Sequence, residues 1–243
     1  MSCAAVILSP HFDDAVLSCW RLLADDGDVL VVNVFAGVPP QGTLGWWDRL
    51  AGCEDSAAAV RARIEEDRRA LALTGRTAVN LDFLDDQYRE REEDPAGIAA
   101  ALRAVLTPAQ RIYAPAALGD RHRDHLAVCT AALELHAEDY DVRLYADLPH
   151  AALYGWPRWA LNGEPPGNGD DQADERWARQ LRGSGLELDR MTASVARLSD
   201  RERERKLASV RAYASQLEPL EQAYGRSFDA PEGLGYEVTW VLS

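Results

Sequence analysis

Lysine is almost missing from this 243-residue chain: Lys206 is the only one, and 26 basic residues stand against 40 acidic ones, a net charge of −14. A surface that tracks nucleic-acid phosphates or settles on an anionic membrane needs the opposite balance, so neither partner is expected. Cysteine is scarce as well. Cys3, Cys19, Cys53 and Cys129 form no CxxC pair, which speaks for reduced, buried thiols and against a disulfide framework. No run approaches the roughly 18 apolar residues of a membrane helix. A secretory leader is not expected either, because no basic segment precedes the short apolar stretch 4–8 and His11 soon interrupts it. The expectation is a soluble cytoplasmic protein.

What is present is a regular alternation of two periods. Apolar runs at 4–9, 28–37, 78–84, 111–116 and 142–148 suit strands covered on both faces. Between them, residues 13–26, 56–75, 96–106 and 123–137 carry apolar positions at helical spacing. Ser199 and Glu202 form a capping-box pattern that opens a helix over 199–217. The alternation predicts an α/β fold, Rossmann-like, with a mostly parallel sheet and helices on both faces. Regularity fails at about 149–190, where Pro, Gly, Asn and Asp abound, so an irregular insertion is expected there. Residues 236–242 read as a closing edge strand. With 47% hydrophobic residues and no internal repeat, a single domain spanning 1–243 is predicted.

Two polar clusters sit where strands should end. SPHFDD follows the first strand and brings His11, Asp13 and Asp14; GDRHRDH follows the fourth and brings His122, Asp124 and His125. Ligands of open α/β sheets bind beyond the carboxyl ends of the strands. Imidazoles and carboxylates are good ligands for a borderline ion such as zinc, whose catalytic sites take three protein ligands and leave a position for water. Of two adjacent carboxylates, one can bind the ion while the other accepts a proton from that water. An Asp-Asp pair can also be a plain helix cap. That alternative must then explain two clusters at two strand ends.

SPHFDD followed by HRDH resembles the PIG-L/LmbE family of zinc-dependent N-deacetylases, which act on amino sugars. The family motifs read His-Pro-Asp-Asp-Glu and His-x-Asp-His; here Phe12 replaces the proline and Ala15 the glutamate. RIEEDRRA (63–70) is similar to the family's Arg-x-x-Glu-Asp-x-x-Ala pattern, and KLASVRAYASQ (206–216) to its Lys…Tyr-x-Ser-Gln segment. The resemblance implies that His11, Asp14 and His125 bind Zn2+, that Asp13 is the general base, and that His122 faces the oxyanion or protonates the leaving amine. It implies for Asp124 a role in orienting a histidine. The implied reaction is amide hydrolysis: the ion lowers the pKa of bound water from about 15.7 towards ~7 and polarises the acyl carbonyl, Asp13 takes a proton, and Asp13 or His122 returns one to the nitrogen.

The expected substrate is a small amino sugar or glycoconjugate. Trp46 or Trp47 is placed to stack on a sugar face and Asp48 to bind a hydroxyl. Arg63 either reaches a substrate oxygen or pairs along its helix with Glu66 and Asp67. Trp156, Trp159 and Trp177 suggest an apolar lid, an acceptor subsite or an oligomer contact. His136 and His150 receive no role. A mycothiol-type conjugate amidase and a metal-dependent phosphoesterase stand as alternatives. For the phosphoesterase only Arg121 and Arg123 lie near the motifs as phosphate-binding cations.

Overall fold

The computed structural model describes residues 4–25, 27–118, 122–151, 155–161, 172–225, 227 and 234–243. Cys3, residues 119–121 of the second cluster (Arg121 among them), and 152–154 and 162–171 of the expected insertion lie outside the described residues. Seven strands form one sheet among the described residues: β1 (Ala5–Ser9), β2 (Val29–Asn33), β3 (Ala78–Asn80), β4 (Arg111–Pro115), β5 (Asp141–Tyr145), β6 (Met191–Arg197) and β7 (Tyr236–Leu242). Their order is β3-β2-β1-β4-β5-β7-β6. The first five run parallel; β7 is antiparallel to β5, and β6 to β7. The apolar strands owe their place to burial on both faces: Val6, Ile7, Leu8, Ile112 and Ala114 are sealed completely.

The order contains the feature that matters for chemistry. From β1 the chain builds outward through β2 and β3, then returns to the other side of β1 for β4 and β5. Loops leaving β1 and β4 therefore diverge to opposite faces, and a crevice opens between two adjacent strands at their carboxyl ends. In register, Ala5 pairs with Arg111 and Ile7 with Tyr113, so the two polar clusters emerge side by side.

Helices fill both faces, with three departures from the sequence reading. The helix expected at 13–26 is two short ones, α1 (Asp14–Ser18) and α2 (Trp20–Ala24). The break at Cys19 is stabilised from afar, because the Glu237 carboxylate accepts the N–H groups of Trp20 and Arg21, each at 2.9 Å, and pairs with the buried Lys206 at 2.7 Å. The helix expected at 199–217 opens with the Ser199–Glu202 capping box but divides into α8 (Asp200–Val210) and α9 (Ala214–Tyr224). Residues 236–242 are not an edge: β7 is inserted between β5 and β6, and the half-exposed β6 takes the edge. Alternating burial cannot tell an inner antiparallel strand from an outer one.

The remaining helices are α3 (Trp46–Leu50), α4 (Ser56–Ala72), α5 (Pro95–Val105), α6 (Arg123–Ala137) and α7 (Ala173–Gly183). Helix α4 starts where the Asp55 carboxylate accepts the Ala58 N–H at 2.7 Å. Helix α7 lies inside the stretch expected to be irregular, and its Ala173, Trp177 and Leu181 repeat every four residues on a buried face. Trp156 and Trp177 are likewise interior: Trp177 packs 5.6 Å from Trp156 and 6.0 Å from Trp240 of β7. Packed against β7, these two serve the core, which corrects for them the offered alternatives of a lid, an acceptor subsite or an oligomer contact. Trp159, 40% exposed, leans on the same cluster at 5.8 Å from Trp177.

Candidate metal centre and active-site cavity

The loop after β1 turns at once into α1, so His11, Asp13 and Asp14 share one tight bend. The bend is fastened internally: the His11 N–H donates to the Asp14 carboxylate at 2.8 Å, and the Ala15 N–H to Ser9 Oγ at 3.0 Å. On the other side of the crevice, His122 stands at the start of α6, with Asp124 and His125 buried in its first turn.

Asp14 is the meeting point. One of its oxygens lies 3.3 Å from His11 Nδ1 and 3.4 Å from His125 Nε2. Each imidazole is held from behind by a second carboxylate: His11 Nε2 lies 3.0 Å from Asp124, and His125 Nδ1 lies 2.7 Å from Asp147. Metal-binding histidines are oriented in this way, with one ring nitrogen towards the ion and the other on a carboxylate. The donor atoms of His11, His122 and His125 fall within 4.8 Å of one another, and those of His11, Asp85 and Asp124 form a second such group. Asp124 is the poorer ligand of the two sets, because Arg89 already pairs with it and the Asp86 N–H donates to it. His122 Nδ1, by contrast, is buried without a partner among the described residues. A cation between His11, Asp14 and His125, flanked by His122, fits this chemistry.

The charges respond to burial and to one another. Burial raises the carboxyl pKa of Asp13, and the neighbouring Asp14 carboxylate raises it further. Burial would also raise that of Asp14, but the charge of His125 and the contact with His11 outweigh it and hold Asp14 ionised. Burial would lower the pKa of His125, yet Asp14 and Asp147 lift it above the ordinary range. His122 has no such support. Burial and the adjacent His125 and His11 push its pKa down, which favours the neutral imidazole.

A cavity of about 420 Å³ opens over the cluster. Asp13 and His122 line it, and so do Trp46, Trp47 and Arg63. Asp48 does not. It is fully buried, with one oxygen on Arg63 and the other accepting the Tyr88 hydroxyl at 2.6 Å. The expected hydroxyl-binding role is corrected accordingly: both oxygens are occupied by the groups that hold Arg63. The alternative ion pair of Arg63 with Glu66 and Asp67 is corrected too. Glu66 instead accepts the Ser215 N–H and hydroxyl at 2.9 and 2.7 Å, and Asp67 sits 2.7 Å from the Tyr213 hydroxyl. Trp47 Nε1 donates to Gln216 at 3.0 Å, and Trp46 is 61% exposed.

Four site residues escaped the sequence reading: Asp85, Arg89, Asp147 and His150. The rule applied to the loops after β1 and β4 would have found three of them, since Asp85 follows β3 and both Asp147 and His150 follow β5. Arg89 carries no pattern of its own.

Known proteins are similar to this chain in sequence pattern and in fold. A family model described as GlcNAc-PI de-N-acetylase, PIG-L, matches residues 6–136. No curated protein matches the chain. Among solved structures, a triple mutant of a deacetylase of the teicoplanin biosynthetic pathway (Orf2*T) is 28% identical, with a TM-score of 0.73 over 99% of this chain and 98% of that one. The A40926 pseudoaglycone deacetylase Dbv21 is 26% identical, with a TM-score of 0.72 over 100% of this chain and 98% of that one. A zinc-inhibited form of teicoplanin deacetylase Orf2 is 27% identical, with a TM-score of 0.71 over 99% and 98%.

Proposed function

Because the chain belongs to the PIG-L family of de-N-acetylases, we propose that it hydrolyses the N-acyl group, acetyl in the first instance, of an amino sugar carried on a glycoconjugate. The observation that carries this reading is Asp14 lying between two imidazoles, with Asp13 beside it on the cavity wall. The similar structures support it, being a deacetylase of the teicoplanin biosynthetic pathway and the A40926 pseudoaglycone deacetylase.

Zinc is the proposed ion, since two imidazoles and a carboxylate are a donor set it favours, and when bound it would acidify a water and polarise the acyl carbonyl. The chain's own residues supply the rest. Asp13, next in sequence to a ligand and facing the cavity, is the group to take a proton from the attacking water. The amide nitrogen leaves only as an amine, so a proton must reach it, and Asp13 is placed to return the one it took. His122, neutral, acts by donating a hydrogen bond to the oxygen on which charge develops. Asp124 and Asp147 orient His11 and His125. Arg63, anchored by Asp48, lines the cavity.

The cavity also suggests what the sugar is attached to. Trp46 and Leu50 lie one helical turn apart on α3 and are 61% and 52% exposed; Leu220 and Ala223 of α9 line the same space. An apolar or aromatic aglycone would cover these groups.

The test is acetate release by zinc-loaded protein from N-acetylglucosamine and from its aryl glycoside. The aryl glycoside should turn over with the higher kcat/KM. Asp13→Asn should keep the metal and lose about 10²-fold or more in kcat, whereas His125→Ala should lose the metal. Wild-type turnover by Asp13→Asn would remove that residue from the mechanism.

A further inference from the structure

His150 belongs to neither family motif, yet the fold brings it to the cavity. It lies beyond β5 on the loop that carries Asp147, and it is half-buried in the cavity lining. Its ring centroid is 4.9 Å from that of His125 and 5.5 Å from that of His122. Its Nδ1 is 2.6 Å from the hydroxyl of Tyr224, the last residue of α9. Its Nε2 has no hydrogen-bond partner among the described residues.

These facts restrict what the ring can do. Because Tyr224 occupies Nδ1, any contact with a ligand must use Nε2. An imidazole nitrogen facing a mainly apolar cavity gains from meeting a polar atom and loses if an apolar group covers it. His11 and His125 each have one nitrogen on a carboxylate and the other towards Asp14, which leaves them no free edge for a sugar. His150 keeps one. A sugar hydroxyl can pair with that edge in either tautomer, since it both donates and accepts.

We propose that His150 is a substrate-contacting residue whose Nε2 hydrogen-bonds a hydroxyl of the amino sugar, and that Tyr224 is the positioning residue that sets its ring. The contact rests on the deacylation reading and deepens it. It gives the sugar a polar anchor beside the metal cluster, at the end of α9, in a cavity whose wall also carries the apolar groups of α3 and α9. Because the contact exists before and during the reaction, it belongs to binding and not to the chemical step, and its loss should appear in KM.

The experiment compares wild type, His150→Ala, His150→Gln, His150→Asn and Tyr224→Phe, each zinc-loaded, with zinc content per chain and steady-state kinetics on N-acetylglucosamine. A glutamine amide nitrogen reaches about as far as Nε2 of histidine, whereas that of asparagine reaches only as far as Nδ1. His150→Ala and His150→Asn should keep full zinc and raise KM about tenfold, with kcat nearly unchanged. His150→Gln should stay close to wild type, and Tyr224→Phe should show a smaller rise in KM. Unchanged kinetics in His150→Ala with an active wild type would overturn the proposal alone. Loss of zinc from His150→Ala and His150→Gln alike would also overturn it, by assigning the ring to the metal site. A wild type that releases no acetate from any N-acetylated amino sugar would overturn the deacylation reading itself.

Discussion

Asp48 and Arg63 show how a surface-type residue pair becomes an internal fitting. Asp48 is sealed, Arg63 is 4% exposed, and Tyr88 completes the carboxylate's partners. Removing one member of such a pair leaves the other charge buried and unmatched. Asp48→Ala should therefore lower the unfolding free energy by about 3–5 kcal/mol. Adding Arg63→Met should restore much of it, and denaturant titration of the two variants would expose a failure of this logic as simple additivity. Asp147 tests a different kind of support. It holds His125 at 2.7 Å and accepts the Leu118 N–H at 2.9 Å. Asp147→Asn preserves the shape but weakens the grip on the imidazole, so zinc affinity in a chelator competition should fall about 10–100-fold. An unchanged affinity would deny Asp147 its orienting role.

Among the elements, the contact between α4 and the α8–α9 turn does the most to place the site. Glu66 and Asp67 on α4 receive Ser215 and Tyr213, and the Tyr213 hydroxyl also reaches the Phe12 carbonyl at 3.0 Å, within the bend that carries His11 and Asp13. The two weak helical patterns of the sequence are thus two halves of one clasp. Its energetics depend on pH. Burial lifts the Asp67 carboxyl from the ordinary 3.8 to about 6, although Tyr213 and Asn33 hydrogen-bond to it. A carboxyl whose folded pKa exceeds its unfolded one binds its proton more tightly in the native state. Its contribution to stability is therefore complete below about pH 4 and is lost as the pH rises through about 6. Two units of pKa correspond to about 3 kcal/mol. The unfolding free energy of wild type minus that of Asp67→Asn should fall by up to that amount between pH 4 and 7. A difference that is level with pH would show that Asp67 ionises normally.

For the whole molecule, a metal ion at the proposed site would couple the two halves of the sheet. His11 and Asp14 come from the bend between β1 and α1, His125 from the first turn of α6 after β4, and Asp147 from beyond β5, so an ion that binds only the folded chain would tie together segments more than a hundred residues apart. At a free zinc concentration of 100 times Kd, binding should stabilise the fold by about 2.7 kcal/mol. Thermal scans with and without a chelator should show the corresponding rise in Tm in wild type and no rise in His125→Ala. A wild-type Tm indifferent to zinc would exclude a folded-state metal site.

Periods two and 3.6 in the sequence, with the capping-box pattern at Ser199 and Glu202, were sufficient for the α/β class, the five parallel strands and the start of α8, because these depend on neighbours within a few residues. The clusters at 11–14 and 122–125 were legible for the same reason, each being a local departure from an apolar pattern. What only the tertiary structure decided was distance. That α7 belongs to the core, that β7 is inserted beside β5, that Asp48 faces Arg63 and not a sugar, and that Asp147 and His150 join the site all depend on residues brought together by strand order. Burial then sets their charge states and partners, and burial is a property of the packed chain that no short window of sequence contains.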